Sequence, residues 1–320
     1  MIEEKQRIHI SIDVVKLIMA ILVVGIHVEP FILYIWLDRG FGIITRLCVP
    51  YFFISSSYLF WCRGGKPYRY VKRLLLLYCV WVIIYLPYHF SMFRQMDILN
   101  IIFTIIWYGY GHLWYMNSTI IGFIIVWLLS KKLNSKLILI ISIIFLIIGC
   151  MKSTWAPLLQ NTLNVQMIDK LGSKNGLFYA FPYIALGKYI SERKTISYSS
   201  RDYIGLCLCT ILLIAESCVF VLLYKTESTV LFVSVLPLSY FLFKIILSID
   251  IKLQERTSVL IRNISTLVYF IHLYVIKMIR SNSINGIVLY IITISISIII
   301  SYIIIRISNK TKFAWLRYLY

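Results

Sequence analysis

Acidic residues are scarce in this chain, 13 Asp and Glu against 32 Lys and Arg, and charged residues of all kinds make up only 14% of it. No P-loop, GxSxG, HExxH, HxxxxD pair or Rossmann glycine pattern occurs. Their absence leaves out the soluble folds that build phosphoryl-transfer, hydrolase, metalloprotease, glycerolipid-acyltransferase and dinucleotide sites on those motifs. No CxxC pair occurs either, and the seven cysteines are odd in number, with Cys79, Cys150, Cys207, Cys209 and Cys218 inside apolar runs. Neither a disulfide framework nor a metal site is indicated. No Pro/Gly/Ser linker, internal repeat or low-complexity tract divides the chain, so residues 1–320 are expected to form a single transmembrane domain. The formal charge of +19 sits in short clusters between apolar spans, with no soluble basic domain to hold a duplex, so no nucleic-acid partner is expected.

What is present is hydrocarbon: 60% of residues are hydrophobic and 16% aromatic. Runs long enough to cross a bilayer lie near 11–33, 41–62, 71–90, 112–130, 136–150, 176–190, 202–224, 229–248, 264–280 and 285–306, which predicts an all-α polytopic membrane protein of about ten transmembrane helices. Ile98 to Tyr108 is apolar but too short to span. The first run carries charges and lacks a small-residue cleavage site, so it is expected to be a retained helix and not a signal peptide. With the N-terminus inside, the inner segments hold 22 Lys and Arg and the outer ones 8, so both termini are expected to be cytoplasmic.

Within the first run lie Asp13, Lys16 and His27. An ionisable group there costs several kcal/mol, by roughly any scale, which marks it as a functional candidate. Lys16 and His27 share one helical stripe about 16 Å apart along the axis, like the two ends of a path for a long substrate. His27 is the candidate general base, because imidazole titrates near neutrality. The bland alternative is a histidine that joins two helices through a hydrogen bond. His272, midway along the ninth run, and His112, at the start of the fourth, carry the same two readings, and His89 reads as interfacial. Glu216, in the outer half of the seventh run, either orients a histidine, binds an acceptor, or pairs with a cation such as Lys225. Arg46, followed by Pro50 and Ser55, Ser56 and Ser57, can stabilise an oxyanion or carboxylate, or merely snorkel. Arg69, Lys72 and Arg73 suit phosphate groups, or an anchor on anionic lipid.

Several segments together resemble the acyltransferase-3 family of ten-helix bacterial membrane acyltransferases. Asp13, Lys16 and, after ten intervening residues, His27 resemble its first-helix motif, and Arg46 through Pro50 to Ser56 its second-helix motif. His112-Leu-Trp114-Tyr-Met and Tyr269-Phe-Ile-His272 resemble two further motifs. Asn175-Gly176, Glu216 and Leu236-Pro237 are most similar to the membrane domain of the membrane-bound serine racemases of glycopeptide resistance. Lys16 stands where the family has arginine and keeps the charge without the planar fork. Ser57 stands where the family has glycine, so close helix approach there is expected to change.

The resemblance implies a multi-pass protein of the bacterial plasma membrane that transfers acyl groups other than amino-acyl groups. Its donor would be cytoplasmic acyl-CoA, used as a substrate without a bound cofactor. Its acceptor would be extracytoplasmic: a cell-wall or surface glycan, or a small hydroxyl or amine compound. Membrane lipid is the remaining partner. His27, Glu216 and His272 would be catalytic, and Asp13, Lys16, Arg46, Ser56, Arg69, Lys72, Arg73, His112 and Trp114 would bind substrate. The racemase-like kinship implies a second reading, a serine-transporting membrane domain without acyl chemistry.

Overall fold

The computed structural model describes residues 10–94, 96–109, 111–159, 172–193, 199–220, 231–280 and 284–320. Its principal helices in chain order are α1 (Ile10–Val28), α2 (Ile35–Thr45), α3 (Cys48–Cys62), α4 (Pro67–Tyr85), α5 (Ile98–Phe103), α6 (Trp114–Leu129), α7 (Ser135–Met151), α8 (Phe181–Ser191), α9 (Ser200–Cys218), α10 (Val235–Ser248), α11 (Glu255–Ile279) and α12 (Gly286–Ser308). No strand occurs among the described residues. The helices start where the local chemistry says they should. Pro67 opens α4, Asn134 accepts from Leu137 N at 2.9 Å to cap α7, a Ser199–Asp202 capping box opens α9, and Asn285 caps α12. The isoleucine-rich α12 has poor intrinsic helix propensity in water, but in hydrocarbon a helix satisfies every backbone polar group within one segment.

Five helical segments are long and apolar enough to cross a membrane by length and composition: Ile10–Val28, Ile35–Cys62, Gly111–Leu129, Glu255–Ile279 and Gly286–Ser308. The other expected spans fall on the helices α4, α7, α8, α9 and α10, which are shorter or carry charge, as α4 does with Arg69, Lys72 and Arg73. Ile98–Tyr108 forms one short helix ending in a wide turn.

The chain divides into two compact units. The first comprises Pro50–Ile245. Here α6 packs on α4 and α8, and Asn175 caps the wide turn that leads into α8 by accepting from Leu177 N and Phe178 N. At Ser57 the helices α3 and α8 approach closely. The Ser57 hydroxyl donates to Ile184 O at 2.7 Å, and the small residue sits on the other helix, where a Cβ at Gly187 would lie 2.5 Å from Ile54 O.

The second unit comprises Gln6–Val49 with Ile246–Tyr320, and its described part is built on α1, α11 and α12. Asp13 meets Ser258 and His27 meets His272, both at a sequence offset of 245, so α1 and α11 run parallel and in register for about four turns. α12 runs the opposite way: Gly286 lies against Glu29 and Pro30, while Tyr290 OH donates to Ile21 O at 2.9 Å. Leu289, Thr293, Ser297, Ser301 and Ile305 form its buried stripe, and only 22% of its apolar window is buried, so most of the isoleucines face outward. α1 ends at Val28, with Glu29 in the left-handed region (φ 57°) before Pro30, which turns Glu29 out of the helix.

Candidate functional site

The second unit gathers Asp13, Lys16, His27, Arg46 and His272; the first holds Ser56, Arg69, Lys72, Arg73, His112, Trp114 and Glu216. Two candidate residues from distant parts of the sequence, His27 and His272, meet in this unit. Their ring centroids lie 5.1 Å apart with the planes tilted by 39°. His272 is fully buried on α11, and its Nδ1 lies 3.2 Å from Val268 O, the carbonyl one turn back. A carbonyl only accepts, so Nδ1 carries the hydrogen and the neutral ring keeps its lone pair on Nε2. One imidazole of the pair thus has a fixed tautomer. His27 is half-buried, and the ring of Tyr269 lies 6.2 Å from that of His272.

At the opposite end of the same two helices, Asp13 is buried and Ser258 Oγ donates to its Oδ2 at 2.8 Å. Arg262 Nη1 lies 3.8 Å from the same oxygen. The 14-residue spacing from Asp13 to His27 puts about 21 Å of helix between this polar cluster and the histidine pair. Lys16 is buried one turn above Asp13. Arg46 lies half-buried at the turn between α2 and α3, its backbone N–H donating to Ile43 O at 3.2 Å.

In the first unit Glu216 is engaged by four donors. Trp155 Nε1 and Val233 N donate to Oε1 at 3.0 and 3.2 Å, and Ser234 N (3.1 Å) and Ser234 Oγ donate to Oε2. No histidine is among these partners, and the Lys225 considered from the sequence lies outside the described residues. The carboxylate ties Trp155 and the segment before α10 to α9. Ser56 hydrogen-bonds the hydroxyls of Tyr70 and Tyr115. Arg69, Lys72 and Arg73 are exposed along the first turns of α4, while Tyr70 between them turns inward against Phe60 and Phe123. His112 is buried edge-on against Tyr85, with centroids 4.5 Å apart. Trp114 stacks on Tyr179 at 5.6 Å and, with Tyr108 and Lys174, lines an open cleft.

Four residues at these clusters escaped the sequence reading: Ser258 and Arg262 beside Asp13, and Trp155 and Ser234 around Glu216. Only once α1 and α11 are seen side by side does a spacing single out Ser258, and none singles out Arg262. Ser258 and His272 repeat on α11 the 14-residue spacing of Asp13 and His27 on α1. Nothing comparable announces Trp155 or Ser234, which reach Glu216 from irregular backbone.

Two curated proteins of Enterococcus faecalis, each described as an amino-acid racemase, are similar to this chain. One is 32% identical over 220 residues and the other 27% identical over 214, covering 62% and 58% of this chain. In each case the match spans 30% of the relative's own length. No solved structure matches. The family described as an acyltransferase domain matches residues 9–306, the same interval that holds the histidine pair and the Asp13 cluster. The chain therefore belongs to the acyltransferase-3 family.

Proposed function

We propose that this protein is a membrane-embedded O-acyltransferase of the bacterial plasma membrane, moving an acyl group from cytoplasmic acyl-CoA to a hydroxyl acceptor on the outer side, a cell-wall or surface glycan among the candidates. The observation that carries the reading is the His27–His272 pair, set about 21 Å along two parallel helices from a cationic cluster. His27 takes the proton of the acceptor hydroxyl as its oxygen attacks the thioester carbonyl. The C–S bond then breaks, the ester forms, and the same proton passes to the departing sulfur, so that coenzyme A leaves as the thiol. His272, with Nδ1 committed to Val268 O, offers Nε2 as an acceptor that can orient His27. Within the first unit, the exposed cations Arg69, Lys72 and Arg73 on α4 suit phosphate groups, and the cleft lined by Tyr108 and Trp114 suits the apolar face of a sugar.

The names of the two relatives, both amino-acid racemases, are compatible with a second reading, a serine-transporting membrane domain. Binding and turnover separate the two. Purified protein is expected to bind acetyl-CoA and release coenzyme A when a hydroxyl acceptor is added. Binding of L-serine with uptake into proteoliposomes, and no response to acetyl-CoA, would replace the enzyme with the transporter.

A further inference from the structure

The acyl-transfer reading leaves one buried-edge cation without a task. Arg262 lies on α11 one turn beyond Ser258, and among the described residues its only ion contact is the 3.8 Å approach of Nη1 to Asp13 Oδ2. That separation is too long for a hydrogen bond. Among the described residues its guanidinium N–H groups make no hydrogen bond, and its side chain is 30% exposed whereas that of Asp13 is 5% exposed. Asp13 gives Oδ2 to Ser258, and its buried Oδ1 has no hydrogen-bond partner among the described residues. The carboxylate thus holds the guanidinium in place by charge without saturating its planar fork. Lys16, one turn along α1 on the buried side, raises the balance of the cluster to one net positive charge.

We propose that Arg262, steered by Asp13 and assisted by Lys16, is a phosphate-binding residue, and that the phosphate is the one at the root of the acyl donor's pantetheine arm. This rests on the acyl-CoA reading. A planar, always-charged fork with unused donors matches the paired oxygens of a phosphate or diphosphate better than an ammonium does. The position fits a long donor, because Arg262 stands ten residues before His272 and its fork reaches back to Asp13, so the reacting thioester must reach a histidine pair about 15–21 Å further along the same helices. A short acyl phosphate could not bridge that distance. An anionic lipid headgroup offers the same phosphate chemistry, and the experiment separates the two sources.

Binding of coenzyme A and of phosphate-free pantetheine is measured on purified protein in neutral detergent, alongside the phosphatidylglycerol that co-purifies. Arg262→Gln is expected to weaken coenzyme A binding about 10- to 100-fold, as loss of charged hydrogen bonds does, and to leave pantetheine unchanged. Arg262→Lys is expected to fall between. Arg306→Gln, at the same end of the unit but stacked on Tyr302, is expected to bind as the parent does. Because Arg262→Gln strands the Asp13 carboxylate, the double variant Asp13→Asn with Arg262→Gln removes that folding cost and is expected to show the same loss. Parent-like coenzyme A affinity in either glutamine variant overturns the proposal and leaves the acyl-CoA reading standing. If the parent binds no coenzyme A but loses co-purifying phosphatidylglycerol on Arg262→Gln, the phosphate site stands with a lipid as its source, and the acyl-CoA reading falls.

Discussion

A histidine whose Nδ1 faces a backbone carbonyl can offer only its other nitrogen to a neighbour, and this asymmetry makes the His27–His272 pair testable residue by residue. His27→Ala removes the proton acceptor and is expected to lower kcat by about 10² to 10⁴ in an acetyl-transfer assay. His27→Gln keeps a helix-linking hydrogen bond but cannot take a proton, so it should be as inactive as alanine; parent-like turnover would strip His27 of the base role. Lys16→Arg retains the charge and should be tolerated. For His272 the discriminating substitutions are phenylalanine, which fills the buried volume without an acceptor, and glutamine, whose carbonyl can still accept. Phenylalanine is expected to cost about 10- to 100-fold in kcat with KM nearly unchanged, as for groups that orient a catalytic histidine, with partial rescue by glutamine. Equal loss in both variants would reduce His272 to packing.

A carboxylate joins helix α9 to the segment that leads into α10. With four donors converging on Glu216, Glu216→Ala leaves Trp155 and Ser234 without their acceptor and should destabilise the protein by about 1.5–3 kcal/mol or more. The measurement is a lower thermal midpoint in detergent, with donor binding per folded molecule preserved; lost donor binding at unchanged stability would return Glu216 to the catalytic machinery. Elements of this kind also show what could be read in advance. The apolar runs of α1, α6, α11 and α12 and the single stripe of Asp13, Lys16 and His27 were legible, because period and hydrocarbon length are local properties of a segment. The joining of α1 to α11 was not, since a parallel pairing across 245 residues leaves no periodic trace, and Arg262 counted only as one more inner cation. The close crossing at Ser57 was hidden for a related reason. A tight helix crossing needs one small residue, and Gly187 supplies it from the opposite side.

For the whole molecule the sharpest claim concerns sidedness. Single cysteines placed within 131–136 and within 155–170, in a background freed of the seven native cysteines, are expected to react with impermeant reagents from opposite faces of the membrane. Same-face labelling would overturn the alternation on which both cytoplasmic termini depend. The parallel fit of α1 against α11 also has a consequence for how the protein is made. Helix α1 leaves the ribosome before its partner, and the surface that covers its polar stripe is synthesised 245 residues later. At roughly 5–20 residues per second that is an interval of about 12–50 s. Throughout it Asp13 has neither Ser258 nor Arg262 beside it, so the nascent helix must wait in the translocon, against lipid headgroups or with a chaperone. Non-local closure of this kind makes assembly slow, and His27 and His272 come together only after the helices between them have been inserted.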